Sequence, residues 1–367
     1  MSLSPDDPGA RQGRRPWPAL LAIAAIVLAA ALAFAWVAGL IGTEGRLTAP
    51  RLVDDIENGK PYPGFRRAHS KGICVSGHFA PAVQATVLSR ARVFAQTRTP
   101  VQGRLSIGGA DPFGAEAQAR VRSLALSLHT DDGQEWRMAM NSFPFFAVAT
   151  PAGFHAQMLA SRPDPATGKP DPAKMAAFLA TYPEAARFQA WAKSAPWSNS
   201  WANTEYNGVN AFRFIDGAGR SRFVRWSMRP QASFEPLPET MRQQAEADYL
   251  QRDLQQRLAQ GVLRWDLVVT EAVPGDPVDD PSQPWPASRP QQVVGTLVLD
   301  RSEAQATGAC RDVNYDPTVV PDGVALSDDP ILAARAAAYS VSFNRRERET
   351  ARGDIATPAA SGAEADR

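Results

Sequence analysis

The chain has 367 residues, 44% of them apolar and 21% charged, which is the make-up of an ordinary globular protein with one large or two small domains. A formal charge of +1 removes the electrostatic case for nucleic acid as a partner. The 31 prolines argue for many irregular connections and against a helical bundle.

The first element is the plainest. Trp17 to Gly42 runs 26 residues without a charge, and about 20 apolar residues suffice to span a bilayer as a helix. Arg11, Arg14 and Arg15 precede the run, so the positive-inside rule predicts a cytoplasmic tail over 1–16, a span over 17–42 and an extracytoplasmic remainder. The predicted location is the inner membrane, single-pass, with the folded domain on the periplasmic side. A cleavable signal peptide with Ala33-Phe34-Ala35 as its site is the competing reading, but the apolar run is longer than a signal core of roughly 7–15 residues.

Residues 43–60 read as a linker and N-terminal arm with a short helix, 61–349 as the folded domain, and 350–367 as a small, polar, disordered tail. Within the domain, 99–108 reads as a strand. Residues 121–130 and EWRMAMNSF alternate apolar and polar about the turn Asp131-Asp132-Gly133, which predicts a hairpin. A second hairpin spans 210–228, and strands follow at 262–272 and 293–299. Residues 163–172 and 274–290 are Pro/Asp-rich loops. Helical spacing marks 173–193 and 239–260, the latter through Leu250, Leu254 and Leu258 with Gly261 as the stop. The last helix opens at Ser327-Asp328-Asp329-Pro330 and runs through 331–346. The class is α+β, with antiparallel strands in the middle and helices after them. Cys74 and Cys310 lie in a compartment that permits a disulfide; a bridge and two separately buried thiols both remain open.

Four places carry candidate chemistry. On the last helix, Arg335 and Tyr339 stand at i, i+4 among alanines, where a cation favours the phenolate, a hard ligand for ferric iron. Alone, the pair also fits a tyrosine that merely packs. Arg66 precedes His69 by three residues, and a histidine has the pKa for moving a proton between two oxygens. Asn141 ends a hairpin strand ahead of four phenylalanines, where a carboxamide would bond a bound oxygen without charge. Arg104, on the 99–108 strand, suits a buried carboxylate.

In this order the segments resemble the catalase superfamily. FRRAHSKG resembles its distal motif R-x-x-H-x-K-G, and TPVQGRLS resembles its TPVxxRxS strand. N-S-F-P-F-F resembles N-N-T-P-x-F-F, and R-A-A-A-Y matches R-x-x-x-Y. The resemblance implies a haem-dependent, catalase-like antiparallel β-barrel with flanking helices, holding haem b. It implies Tyr339 as the iron ligand, and His69 and Asn141 as catalytic groups. Arg66, Arg104 and Arg346 would hold the propionates, Phe154 would stack on the haem, and Arg335 would support the tyrosine.

Only 28 residues follow Tyr339, which resembles the small catalase-related peroxidases. The implied activity is peroxidase, reducing hydrogen peroxide or organic hydroperoxides with an unidentified electron donor, with weak catalase activity beside it. No NADPH is expected, and a homo-oligomer is compatible with the reading. A membrane-tethered haem-sensing module and a haem enzyme that rearranges lipid hydroperoxides are the alternatives.

Overall fold

The computed structural model describes residues 17–37, 41–42, 46–57, 59 and 61–358. The expected cytoplasmic tail, 1–16, lies outside the described residues. The chain forms two units, Met1–Thr48 and Ala49–Arg367. The first holds α1 (Trp17–Val37), 21 residues with none buried. At 1.5 Å per residue it is about 31 Å long, close to a bilayer's hydrocarbon thickness. It is the one helix among the described residues long and apolar enough to cross a membrane.

The second unit begins with α2 (Ala49–Glu57), β1 (Gly72–Pro81) and the single turns α3 (Ala85–Leu88) and α4 (Arg92–Ala95). Strands β2 (Thr99–Ile107), β3 (Arg122–His129) and β4 (Glu135–Asn141) follow. Then come the helices α5 (Pro151–Ala160), α6 (Pro172–Thr181) and α7 (Ala185–Ser194), followed by the strands β5 (Tyr206–Asn207), β6 (Phe212–Ile215) and β7 (Ser221–Pro230). The remainder is α8 (Glu239–Gln244), α9 (Tyr249–Gln260), β8 (Leu263–Glu271), β9 (Gln291–Ala304), β10 (Val324–Leu326) and α10 (Pro330–Arg352).

Eight antiparallel strands close a barrel in the order β1-β2-β3-β4-β5-β7-β8-β9, with β9 returning to β1. Closure leaves no long open edge to pair with another chain. One edge of β7 is shared: residues 221–224 pair with β6, and 227–228 with β5. Period-2 alternation turns Leu124, Leu126 and Leu128 of β3, and Trp136, Met138 and Met140 of β4, into the main core. Tryptophans anchor that core, Trp226 stacking on Phe212 at 4.2 Å between ring centroids.

The expected strands all form, and β9 is longer than expected. The helical stretch 173–193 is two helices, because Pro183 has no N–H to continue the ladder past Tyr182. The stretch 239–260 is likewise interrupted between Gln244 and Tyr249. The C-terminal helix reaches Arg352, and the Ala356 N–H donates to the Pro63 carbonyl. The tail expected from 350 onward therefore starts with helix and a docked segment; residues 359–367 lie outside the described residues. The arm is more than a linker: α2 buries Leu52 and Val53 and is tied by Asp54 to Arg345 and by Glu57 to Arg67 and Arg345.

Cys74 on β1 and Cys310 in the β9–β10 connection form a disulfide, Cα atoms 5.3 Å apart and 236 residues apart in sequence. That settles the question the sequence leaves open. A bridge closing so long a loop is expected to contribute about 2–5 kcal/mol. Thermal melts of the parent and the Cys74→Ser/Cys310→Ser pair are expected to differ accordingly. Equal melting temperatures would remove the bridge from the stability account.

Candidate active site

On the face of β1–β4 opposite the main core, the strand register sets two rows of side chains. Cys74, Arg104, Ala125 and Ala139 are cross-strand neighbours in one row. Gly72, Ser106, Ser123 and Asn141 form the next. From Arg104 and Ser106 onward these residues line a cavity of about 850 Å³, within the usual size of a cofactor site. Gly72 is required here: a Cβ would stand 2.3 Å from the Leu105 carbonyl and 2.8 Å from the Arg104 guanidinium.

Helix α10 supplies the facing wall. Asp329 caps it by accepting from Ile331 N at 2.8 Å, and Pro330 stands at its first position. The i, i+4 stripe then points Ile331, Arg335 and Tyr339 into the cavity, with Ala334 and Ala338 as small neighbours that leave room for something flat. Arg335 lies 5.9 Å from the Tyr339 ring centroid, and its own bonds run to Asn210 Oδ1 (2.7 Å) and the Ala139 carbonyl (2.9 Å). Asn210 in turn donates to Asp329 at 2.7 Å. The cap, the asparagine and the arginine thus form one chain that fixes how α10 sits on β4.

His69 occupies the turn before β1 with φ 54°, a left-handed conformation uncommon outside glycine that marks a residue held in place by its surroundings. Its Nδ1 is 3.0 Å from Ser123 Oγ, and that hydroxyl donates to Asn141 Oδ1 at 2.6 Å. Burial, then the charges of Arg104 and Arg335, push the His69 imidazole down to about 4. Phe154 stands on α5, whose start is set by Thr150, accepting from Gly153 N at 3.1 Å, and by Pro151. It packs on Phe146 with centroids 5.4 Å apart. Leu52, Val53 and Ile56 of α2 close another side.

One end of the cavity gathers arginines. Arg66 donates to the carbonyls of Cys310 (3.0 Å) and Val313 (2.7 Å). Arg104 donates to Gln305 Oε1 and the Ser70 carbonyl. Arg346 has Nε and Nη2 buried with no hydrogen-bond partner, and its nearest acid, Glu347, is 3.8 Å away. Burial and mutual repulsion push Arg66 down to about 9, and Arg104 well below the arginine range. Among the described residues, none of the three is hydrogen-bonded to a carboxylate, which leaves this end with an excess of positive charge.

All eight residues singled out in the sequence line this one cavity: His69, Asn141, Arg66, Arg104, Phe154, Arg335, Arg346 and Tyr339. Sequence reasoning missed Ser123, Asn210 and Tyr315. For Ser123 a signal existed in the hairpin itself, whose register puts it opposite Asn141. Asn210 and Tyr315 are brought in by tertiary packing and carried no local signal.

Barrel and cavity together bring a half-buried tyrosine, a histidine–asparagine pair and an arginine-rich end to one cavity. The chain belongs to the catalase family, whose model matches residues 64–351. It is 37% identical to a catalase-related peroxidase of Synechococcus elongatus, over 91% of this chain and 98% of that one. It is 32% identical to a catalase-related peroxidase of Mycolicibacterium paratuberculosis, over 82% of this chain and 96% of that one. A fungal catalase crystal structure superposes with a TM-score of 0.70 at 21% identity, over 79% of this chain and 60% of the other.

Proposed function

We propose that this protein is a haem b-dependent peroxidase that reduces hydrogen peroxide and organic hydroperoxides, with catalase turnover as a minor branch. The observation that carries the reading is a cavity whose arginine end is hydrogen-bonded to no carboxylate among the described residues and whose walls bring His69, Asn141 and Tyr339 together. Arg66, Arg104 and Arg346 would hold the two propionates, Phe154 and the alanines of α10 would face the ring, and Tyr339 would be the protein's ligand to the iron. Haem, when bound, supplies the redox-active iron at which a peroxide is reduced.

The remaining work falls to the chain. A hydroxyl has one proton; Ser123 gives its proton to Asn141 Oδ1, so the contact to His69 is an Nδ1–H donation to Ser123. That leaves the lone pair on His69 Nε2 and the amide N–H groups of Asn141 for a bound peroxide, both residues lining the cavity. A neutral imidazole, held so by its lowered pKa, accepts a proton from one peroxide oxygen and returns it to the other. Asn141 orients the peroxide by hydrogen bonding. The apolar side chains of Leu52, Val53, Ile56, Phe143 and Phe188 on the cavity wall support an organic hydroperoxide as well as hydrogen peroxide.

The helix α1 and the three arginines before it support a single-pass anchor in the cytoplasmic membrane with the peroxidase unit on the periplasmic side. The Cys74–Cys310 bridge suits that oxidising compartment. The deciding experiment supplies hydrogen peroxide with and without an oxidisable phenol and follows donor oxidation and oxygen release together. Donor oxidation is expected to outpace oxygen release; the reverse order would make the protein a catalase and overturn the assignment.

A further inference from the structure

Among the described residues, Tyr315 carries the only tyrosine hydroxyl that is buried without a hydrogen-bond partner. The residue is 3% exposed and lines the cavity. Its ring is fixed from several sides. It packs with the Cys74–Cys310 bridge, Val313 and Tyr339. Arg137 donates to the preceding carbonyl, that of Asn314, at 2.7 Å. The following residue, Asp316, accepts from Thr318 N at 2.9 Å and from its hydroxyl at 2.8 Å.

The guanidinium of Arg66 stands 5.9 Å from the Tyr315 ring centroid and is itself tied to Cys310 and Val313, in the same connection. Arg66 and Arg104 are the charges that act most strongly on the phenol. A buried hydroxyl with no partner is costly, and one held rigidly beside unneutralised arginines has a use only when an acceptor arrives. A phenol hydroxyl carries one proton at neutral pH and serves as a donor.

We propose that Tyr315 is a fourth donor of the anion-binding end, its hydroxyl bonding a carboxylate of the bound cofactor beside Arg66. This rests on the haem reading above, in which that carboxylate is a propionate. The disulfide then acts as a brace as well as a stabiliser, since Tyr315 and the two carbonyls that hold Arg66 all belong to the connection it pins to β1.

The test is equilibrium binding of ferric protoporphyrin to the full-length apoprotein in detergent, for the parent and Tyr315→Phe. It is run with the free diacid and with its dimethyl ester, which has no carboxylate to accept the bond. A charge-assisted hydrogen bond leads to an expected loss of about tenfold in diacid affinity for the variant, with ester affinity unchanged. Because the hydroxyl is unpaired without ligand, the apo variant is expected to melt at or above the parent's temperature. An equal loss for diacid and ester, or none for either, overturns the proposal while leaving the haem reading intact. A destabilised apo variant overturns it too, since the hydroxyl would then have a partner within the protein. Failure of the parent to bind the diacid overturns the haem reading and this proposal with it.

Discussion

Replacing His69 with alanine is expected to lower peroxide turnover by about 10²–10⁴-fold, the usual worth of a positioned general acid–base group. The cofactor's hold should survive, because none of the groups assigned to it is His69. The same residue sets a pH signature. Its imidazole sits near 4 in the folded protein, below the ordinary 6.5, because the cavity wall excludes water and Arg104 and Arg335 oppose a further positive charge. The base form is therefore present from neutral pH downward until pH approaches 4, and kcat/KM for peroxide should stay level over that range and fall below it.

Stability follows the same sign. Below pH 6.5 the unfolded chain takes up a proton at His69 that the folded one refuses, so this contribution is complete above 6.5 and is lost as pH falls through about 4. An acid limb centred near 6.5 would mean an imidazole open to water, and would remove His69 from the role. The alanine variant should show no such limb at all.

The Tyr339→Phe variant is expected to bind ferric haem more than about 100-fold less tightly, since even outer partners of a metal ligand are worth 10–100-fold. Turnover should fall with occupancy. The barrel should be untouched: Arg335 is bonded to Asn210 and Ala139, and α10 is capped by Asp329, all independently of the phenol. A folded variant with parental affinity would take Tyr339 out of the site and leave its ring as packing against Cys74, Cys310 and Tyr315.

Much of the fold and the site is legible in the order of the amino acids, and the reason is local. A strand alternates with period 2, so the 121–130 and 135–143 segments announce both their hairpin and which residues share a face. Tyr339 is legible because a capped helix places i and i+4 together. What escapes is set by tertiary contacts. β1 is hidden because its Gly72 and Gly77 weaken a strand pattern, although both glycines are demanded by the close approach of Leu105 and Val298. Helix α5 escapes despite the Thr150-Pro151 start signal, because Gly153 interrupts its pattern. Tyr315 reaches the cavity, and Asn210 the Arg335 guanidinium, from distant connections, and only the folded chain brings them there.

In the proposed function the cavity is a haem site with Tyr339 as the protein's ligand to the iron. A titration of the full-length apoprotein with ferric haem, followed by its absorption spectrum, tests this most directly. Saturation is expected at one haem per chain, with the spectrum of a high-spin ferric tyrosinate that Tyr339→Phe loses. Absence of saturable binding, or a spectrum that the variant shares, would contradict it.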